Sequence, residues 1–259
     1  MAKKTDEMTI ISHLEELRRV LIVSIISTTV LAVAAYFFSD KILAFLMEPL
    51  TTLGQGVFFT AVTGAIFAKI KISFFAGFLA ALPIILWQIW SFVVPALKKK
   101  EKLYFTLFVL VSFISFVAGV AFGFFGVFRI GVAFLLQFAG PTLTPLLTID
   151  KYISFIISFL LPFGIVFEFP LVSFFLAKLE LVTYAFFARN RRYAILGVVA
   201  LAAIITPTPD LITCLIVSGP MYLLFEVSVL VVRIVERRIA RRKERERLAE
   251  MAEPAVTVK

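Results

Sequence analysis

Six apolar runs, at 20–38, 72–94, 104–128, 152–177, 193–206 and 211–232, divide the chain, and only two charged side chains, Glu168 and Glu226, interrupt them. Most are near the roughly 20 residues that a helix needs to cross a hydrocarbon core about 30 Å thick. Inside that core no water satisfies a backbone N–H or C=O, so a segment spans as a helix or as part of a closed barrel. Uninterrupted runs of this length select the helix. The expected fold class is an all-α integral membrane protein of six transmembrane helices, with Pro49, Pro83, Pro95 and Pro220 each bending or ending a helix so that the bundle curves into a concave shape.

Composition closes off other classes. Of the 259 residues 61% are hydrophobic and 30 are Phe, beyond what a soluble domain carries. The single cysteine, Cys214, leaves no internal disulfide or cysteine-built metal site, and the single histidine, His13, leaves no His-rich zinc or haem motif. No metal or other cofactor is expected. Neither GxSxG, HExxH, a P-loop nor a twin-aspartate pattern occurs, so the chain does not read as an enzyme. The first run exceeds a signal-peptide core and lacks a small-residue cleavage pattern behind it, so it reads as a retained anchor.

The net charge of +9 sits at span ends, which points to a membrane surface and not to nucleic acid. With the N-terminus placed in the cytoplasm, only Lys41, Lys69, Lys71, Arg129 and Lys151 of the 26 basic residues fall on the opposite side. That asymmetry puts both termini in the cytoplasm, in the cytoplasmic (inner) membrane of a bacterium or archaeon. Three parts follow: a cytoplasmic segment at 1–19, a membrane domain at 20–232, and a basic tail at 233–259 that continues the last helix and anchors against anionic lipid. The run 193–206 is short, roughly 21 Å at 1.5 Å per residue. It either pairs with 211–232 as a hairpin over thinned bilayer or is extended by its flanks.

Four places carry chemistry. Ser12 and Glu15 have capping-box spacing before the first span, with Glu15 and Glu16 a helical turn from Arg18 and Arg19. This reads as a capped helix start on the membrane surface, with His13 a surface residue without a ligand role. Glu101 stands among Lys98, Lys99, Lys100 and Lys102; it is a solvated loop charge, or it joins Glu16 as a pair of carboxylates able to take guanidinium groups by forked hydrogen bonds. An exposed ion pair is worth at most about 1 kcal/mol, so affinity there requires apolar burial alongside. Glu168 lies nine positions before Ala177, about 14 Å deep, where an ionised carboxylate costs about 3 kcal/mol or more. It is a functional group, or a neutral acid bonded to a carbonyl freed by Pro170. Glu226 reaches the interface or Arg233. Gly119 and Gly123 have GxxxG spacing for close helix packing, within the chain or with another.

Taken in order, five landmarks resemble the TatC family, the signal-peptide receptors of the twin-arginine protein translocase. They are His13-Leu14-Glu15-Glu16-Leu17-Arg18; Leu82-Pro83 through Trp87, Trp90, Phe92 and Pro95 to Glu101; Phe163-Gly164 through Glu168 to Pro170; Thr206-Pro207 to Asp210; and Pro220 to Glu226. The resemblance runs from about 10 to 235 and implies a six-span, curved membrane protein. It implies that Glu16 and Glu101 receive the twin arginines of a signal peptide, with Arg18, Phe92 and Pro95 shaping the site. It also implies that Glu168 is the membrane-embedded glutamate of the concave face, and that Pro49 and Asp210 are sensitive positions on the far side. Single-span partners of the TatA/TatB type would dock along 193–232, where Thr206 and Cys214 lie, within a larger complex in which this chain is itself oligomeric. Cys214 stands where a glutamine is frequent, and the Pro207-Thr208-Pro209-Asp210 turn is one residue longer than usual. Such a receptor exports folded proteins at the expense of the proton-motive force. The rival reading is a proton-coupled small-solute transporter titrating Glu168, which leaves the rim carboxylates idle and lacks two similar halves.

Overall fold

The computed structural model describes residues 2–58, 63–93, 102–138, 147–206 and 210–252. The chain divides into two compact units, Met1–Gly164 and Ile165–Lys259. The first holds α1 (Ala2–Tyr36), α2 (Ser39–Thr51), β1 (Val57–Phe58), α3 (Gly64–Val93), α4 (Lys102–Ala121), a π-helical stretch (Phe122–Phe128), α5 (Arg129–Phe138), β2 (Leu147–Thr148) and the first half of α6 (Ile149–Lys178). The second holds the rest of α6, then α7 (Tyr184–Arg189), α8 (Arg191–Ile205) and α9 (Leu211–Ala252).

Among the described residues five helical segments are long and apolar enough to cross a membrane: His13–Tyr36, Gly64–Phe92, Phe105–Gln137, Ile149–Lys178 and Leu211–Ala249. The remaining expected span, 193–206, falls on α8, whose 15 residues reach about 22 Å. Among the described residues the fold departs from all-α in β1 and β2, which pair in parallel with Val57 opposite Leu147 and Phe58 opposite Thr148.

Several boundaries differ from expectation, and for one reason: hydropathy ends where lipid would end, whereas helical hydrogen bonding continues while each residue tolerates it. Thus α1 starts at Ala2 and runs through Ser12, so the Ser12–Glu15 spacing does not open a helix. At the other end the expectation that the basic tail continues the last helix agrees with α9, which runs through it to Ala252. Pro49, Pro83 and Pro220 lie inside α2, α3 and α9 without ending them. Each removes one ladder donor, a loss that neighbouring groups can absorb. Pro95 lies outside the described residues.

In the first unit the deepest packing is aromatic and aliphatic. Phe128, Phe159 and Phe163 are fully buried with Ile153, Ile156 and Leu160, and the rings of Phe128 and Phe159 and of Phe159 and Phe163 lie 5.5 and 5.3 Å apart. Glycines bring the backbones close. Gly123 faces the Phe163 side chain, where an added Cβ would stand 3.1 Å from it, so the small-residue spacing serves packing within the chain. Gly164 faces the Phe116 ring, and Gly77 of α3 faces the backbone N and Cα of Ala32 of α1, so closely that no Cβ fits.

Polar ties gather at one end of this unit. Lys69 Nζ lies 2.6 Å from Asp40, Lys71 Nζ donates to Asp150 at 2.7 Å and to Ser154 at 2.8 Å, and Arg129 pairs with Glu48. Tyr152 donates its hydroxyl to the Leu46 carbonyl at 3.0 Å, beside the buried Pro49. Three of the five basic residues placed opposite the cytoplasmic side by charge counting are therefore held by carboxylates.

The second unit closes around Ala177, Phe187, Phe225, Val229, Val232 and Val235. Thr183 caps α7 by accepting the Phe186 N–H at 3.3 Å. Glu180, at φ 60°, ends α6 while Leu181 N–H returns to the Leu176 carbonyl.

At Gly77 the obstacle is backbone, which cannot rotate away. Gly77→Ala is expected to lower stability in detergent by about 1–3 kcal/mol. Gly197→Ala in α8, whose added methyl meets nothing within 4 Å, is expected to be neutral or stabilising by about 0.5–1 kcal/mol. Thermal unfolding midpoints of the two variants against the parent check both.

Candidate functional site

The rim carboxylates begin with α1. Because that helix is continuous through 13–19, Glu16 stands one turn beyond His13, on the same side of the helix. Glu16, Glu15, Arg18 and Arg19 are all exposed. The His13 ring stacks on Phe92, with centroids 4.2 Å apart and planes 18° from parallel. Phe92 is half-buried on the last turn of α3, which ends at Val93. The contact therefore holds the Glu16 turn of α1 against the helix end from which the chain departs toward Glu101. Glu101 and Pro95 both lie outside the described residues. Sequence reading left His13 without a role, since nothing about a lone histidine names an aromatic partner so far along the chain.

Glu168 sits in α6 between Gly164 and Pro170, half-buried, with its Oε1 withdrawn from solvent. The next residue, Phe169, places its ring 6.2 Å from both Phe187 and Phe225. That anchors this stretch of α6 to α7 and α9. Pro83 is exposed on α3.

Asp210 is half-buried and its Oδ1 accepts the Thr213 N–H at 2.8 Å, which caps the start of α9. Thr206, buried, and Cys214, half-buried, face each other with Oγ1 and Sγ 3.8 Å apart, tying the end of α8 to the first turn of α9. Of the two readings of Glu226, toward the interface or toward Arg233, the second is corrected by its partners. Glu226 accepts from Arg191 Nη2 at 2.9 Å and from the Tyr222 hydroxyl at 2.7 Å, while the Arg233 guanidinium lies over the Tyr184 ring at 5.3 Å. Arg191 opens α8, and α8 and α9 pack side by side, so Arg191 reaches Glu226 directly across that pairing.

The model of the family described as "Sec-independent protein translocase protein (TatC)" matches residues 12–220. The chain belongs to the TatC family. A TatC protein of Carboxydothermus hydrogenoformans is 45% identical to it over 88% of this chain and 94% of that one. One from Desulforapulum autotrophicum is 35% identical over 92% and 89%. A crystal structure described as the twin-arginine translocase receptor TatC superposes with a TM-score of 0.78 at 35% identity, covering 86% of this chain and 99% of that one. As a member of the TatC family the chain is a protein-translocase component, a transport protein with several membrane-crossing helices, and its family setting is a complex with other translocase subunits.

If the His13–Phe92 stack holds the N-terminal turn of this TatC-family chain to α3, the two residues should be energetically coupled. A double-mutant cycle of His13→Ala and Phe92→Ala, read by unfolding in detergent, is expected to give about 0.5–1.5 kcal/mol of coupling.

Proposed function

We propose that this chain is the receptor subunit of a twin-arginine translocase, taking the signal peptide of an already folded protein through Glu16 and Glu101. The observation that carries the reading is the His13–Phe92 stack, which sets the Glu16 turn beside the end of α3. Two carboxylates on one rim suit two adjacent guanidinium groups because each planar fork matches a carboxylate twice. Arg18 stands two residues from Glu16, and Phe92 and Pro95 supply an aromatic and a rigid wall. The apolar stretch of the peptide supplies most of the affinity by burial, and the carboxylates supply register and choice.

In this reading TatA/TatB-type single-span subunits join the receptor, several copies assemble, and the proton-motive force drives export. Glu168 acts in transport and not in recognition, since a single acid about 14 Å deep in the hydrocarbon is not placed to read two arginines at a membrane surface. Pro49, Pro83, Asp210 and Glu226 act by holding helix geometry, and the Thr206–Cys214 end of the α8–α9 pair by presenting that pair to a partner helix.

Binding of a labelled signal peptide to the purified protein tests recognition. The Arg-Arg peptide is expected to bind about tenfold more tightly than its Lys-Lys counterpart, a difference of about 1.4 kcal/mol. Either Glu16→Ala or Glu101→Ala is expected to erase that difference while leaving residual binding through the apolar stretch. Binding that ignores both the arginines and the glutamates would overturn the assignment. Glu168→Gln separates the roles: peptide binding is expected within about twofold of the parent, an energy change below about 0.5 kcal/mol, with export into vesicles strongly reduced.

A further inference from the structure

In the second unit a cleft of about 530 Å³ opens between α7 and the start of α8, lined by Thr183, Phe186, Arg189, Asn190, Arg192 and Tyr193. We propose that it binds the phosphate-bearing headgroup of an anionic phospholipid. The inference is independent of signal-peptide recognition, which the rim of the other unit serves.

Charge is the first argument. Three arginines lie within one turn of each other, and they are not equivalent. Arg191 is taken by Glu226. Among the described residues neither Arg189 nor Arg192 is paired with a carboxylate, and these two line the cleft. Arg192 is instead held by its neighbour: its guanidinium lies 4.9 Å over the Tyr193 ring, and its Nη2 donates to the Tyr193 hydroxyl at 3.2 Å. A guanidinium oriented that way keeps further N–H donors for phosphate oxygens. Thr183, Asn190 and Tyr193 add hydroxyl and amide groups around the same space.

Position is the second. The count of lysines and arginines places this end of α8 at the cytoplasmic surface, where anionic lipid attracts basic residues and where tyrosine rings settle at headgroup level. The cleft is not a closed polar pocket suited to a free anion. Its wall runs on into exposed apolar side chains, Phe186 at 58%, Tyr193 at 59% and Leu196 at 66% exposure, along which acyl chains can lie. The 15-residue length of α8 strengthens the fit, because a helix shorter than the hydrocarbon core draws headgroups toward its ends.

The test uses the full chain in detergent, with phosphatidylglycerol and phosphatidylcholine as probes and retained lipid counted by native mass spectrometry. The parent is expected to retain phosphatidylglycerol in preference to phosphatidylcholine. Arg189→Gln with Arg192→Gln is expected to lower that retention about tenfold, the order set by two basic contacts at a membrane surface. Arg189→Lys with Arg192→Lys is expected to keep most of it. Arg237→Gln with Arg238→Gln, which removes the same charge from the lipid-facing tail on α9, is expected to lower it far less than the cleft pair does. A phosphatidylglycerol carrying a photoreactive acyl chain should label the parent within 183–199, a readout that requires no variant to fold. No preference in the parent, equal loss in the α9 variant, labelling confined to other segments, or displacement by millimolar inorganic phosphate would each overturn the proposal.

Discussion

Hydrocarbon offers a polypeptide no hydrogen-bond partner, and nearly every feature of this chain answers to that. The backbone satisfies itself in long helices, which is why prolines sit inside α3, α6 and α9 without ending them: breaking a helix at membrane depth costs more than the single bond that proline removes. The same solvent does not push one apolar helix onto another, so association depends on close contact and on polar ties. The tight crossings at Gly77, Gly123 and Gly164 supply the first. The pairs of Lys69 with Asp40, Lys71 with Asp150 and Arg129 with Glu48 supply the second, collected at one end of their unit.

Hydropathy made the spans legible because lipid acts on each residue independently of where the rest of the chain lies. Periodicity was less informative where the helix changes pitch. Before the π-helical stretch the buried positions are Val109, Ser112, Phe116 and Gly119, near the spacing of an α-helix; within it and just after it they come in adjacent pairs, Gly123 with Phe124, Val127 with Phe128, and Gly131 with Val132, repeating every four. A wider turn buries two neighbours at once, and a reading at 3.6 residues per turn does not anticipate it. The GxxxG spacing at Gly119 and Gly123 therefore announced closeness without naming Phe163 as the side chain that profits.

The candidate site divides along a similar line. Residue types at the rim were readable, since acids in a basic rim and an acid at membrane depth are costly enough to draw notice. Partners were not. Arg191 with Glu226 and His13 with Phe92 join residues on different helices, and the packing of those helices decides the match. Asp210 shows the converse: its part in capping α9 is local, and an acid just before an apolar run is a signal the chain carries openly.

Three contacts run along α1 and α3: His13 on Phe92, Ala32 against Gly77, and Asp40, just beyond α1, with Lys69. The first two lie roughly 28 Å apart along α1 at 1.5 Å per residue. At the middle contact backbone meets backbone, with no side chain to yield between them. Mechanically the two helices form a beam pinned at both ends and welded near one of them. A load applied at the His13 end is therefore not absorbed by side chains changing rotamer along the way; it reaches the Asp40 end as a tilt of both helices together.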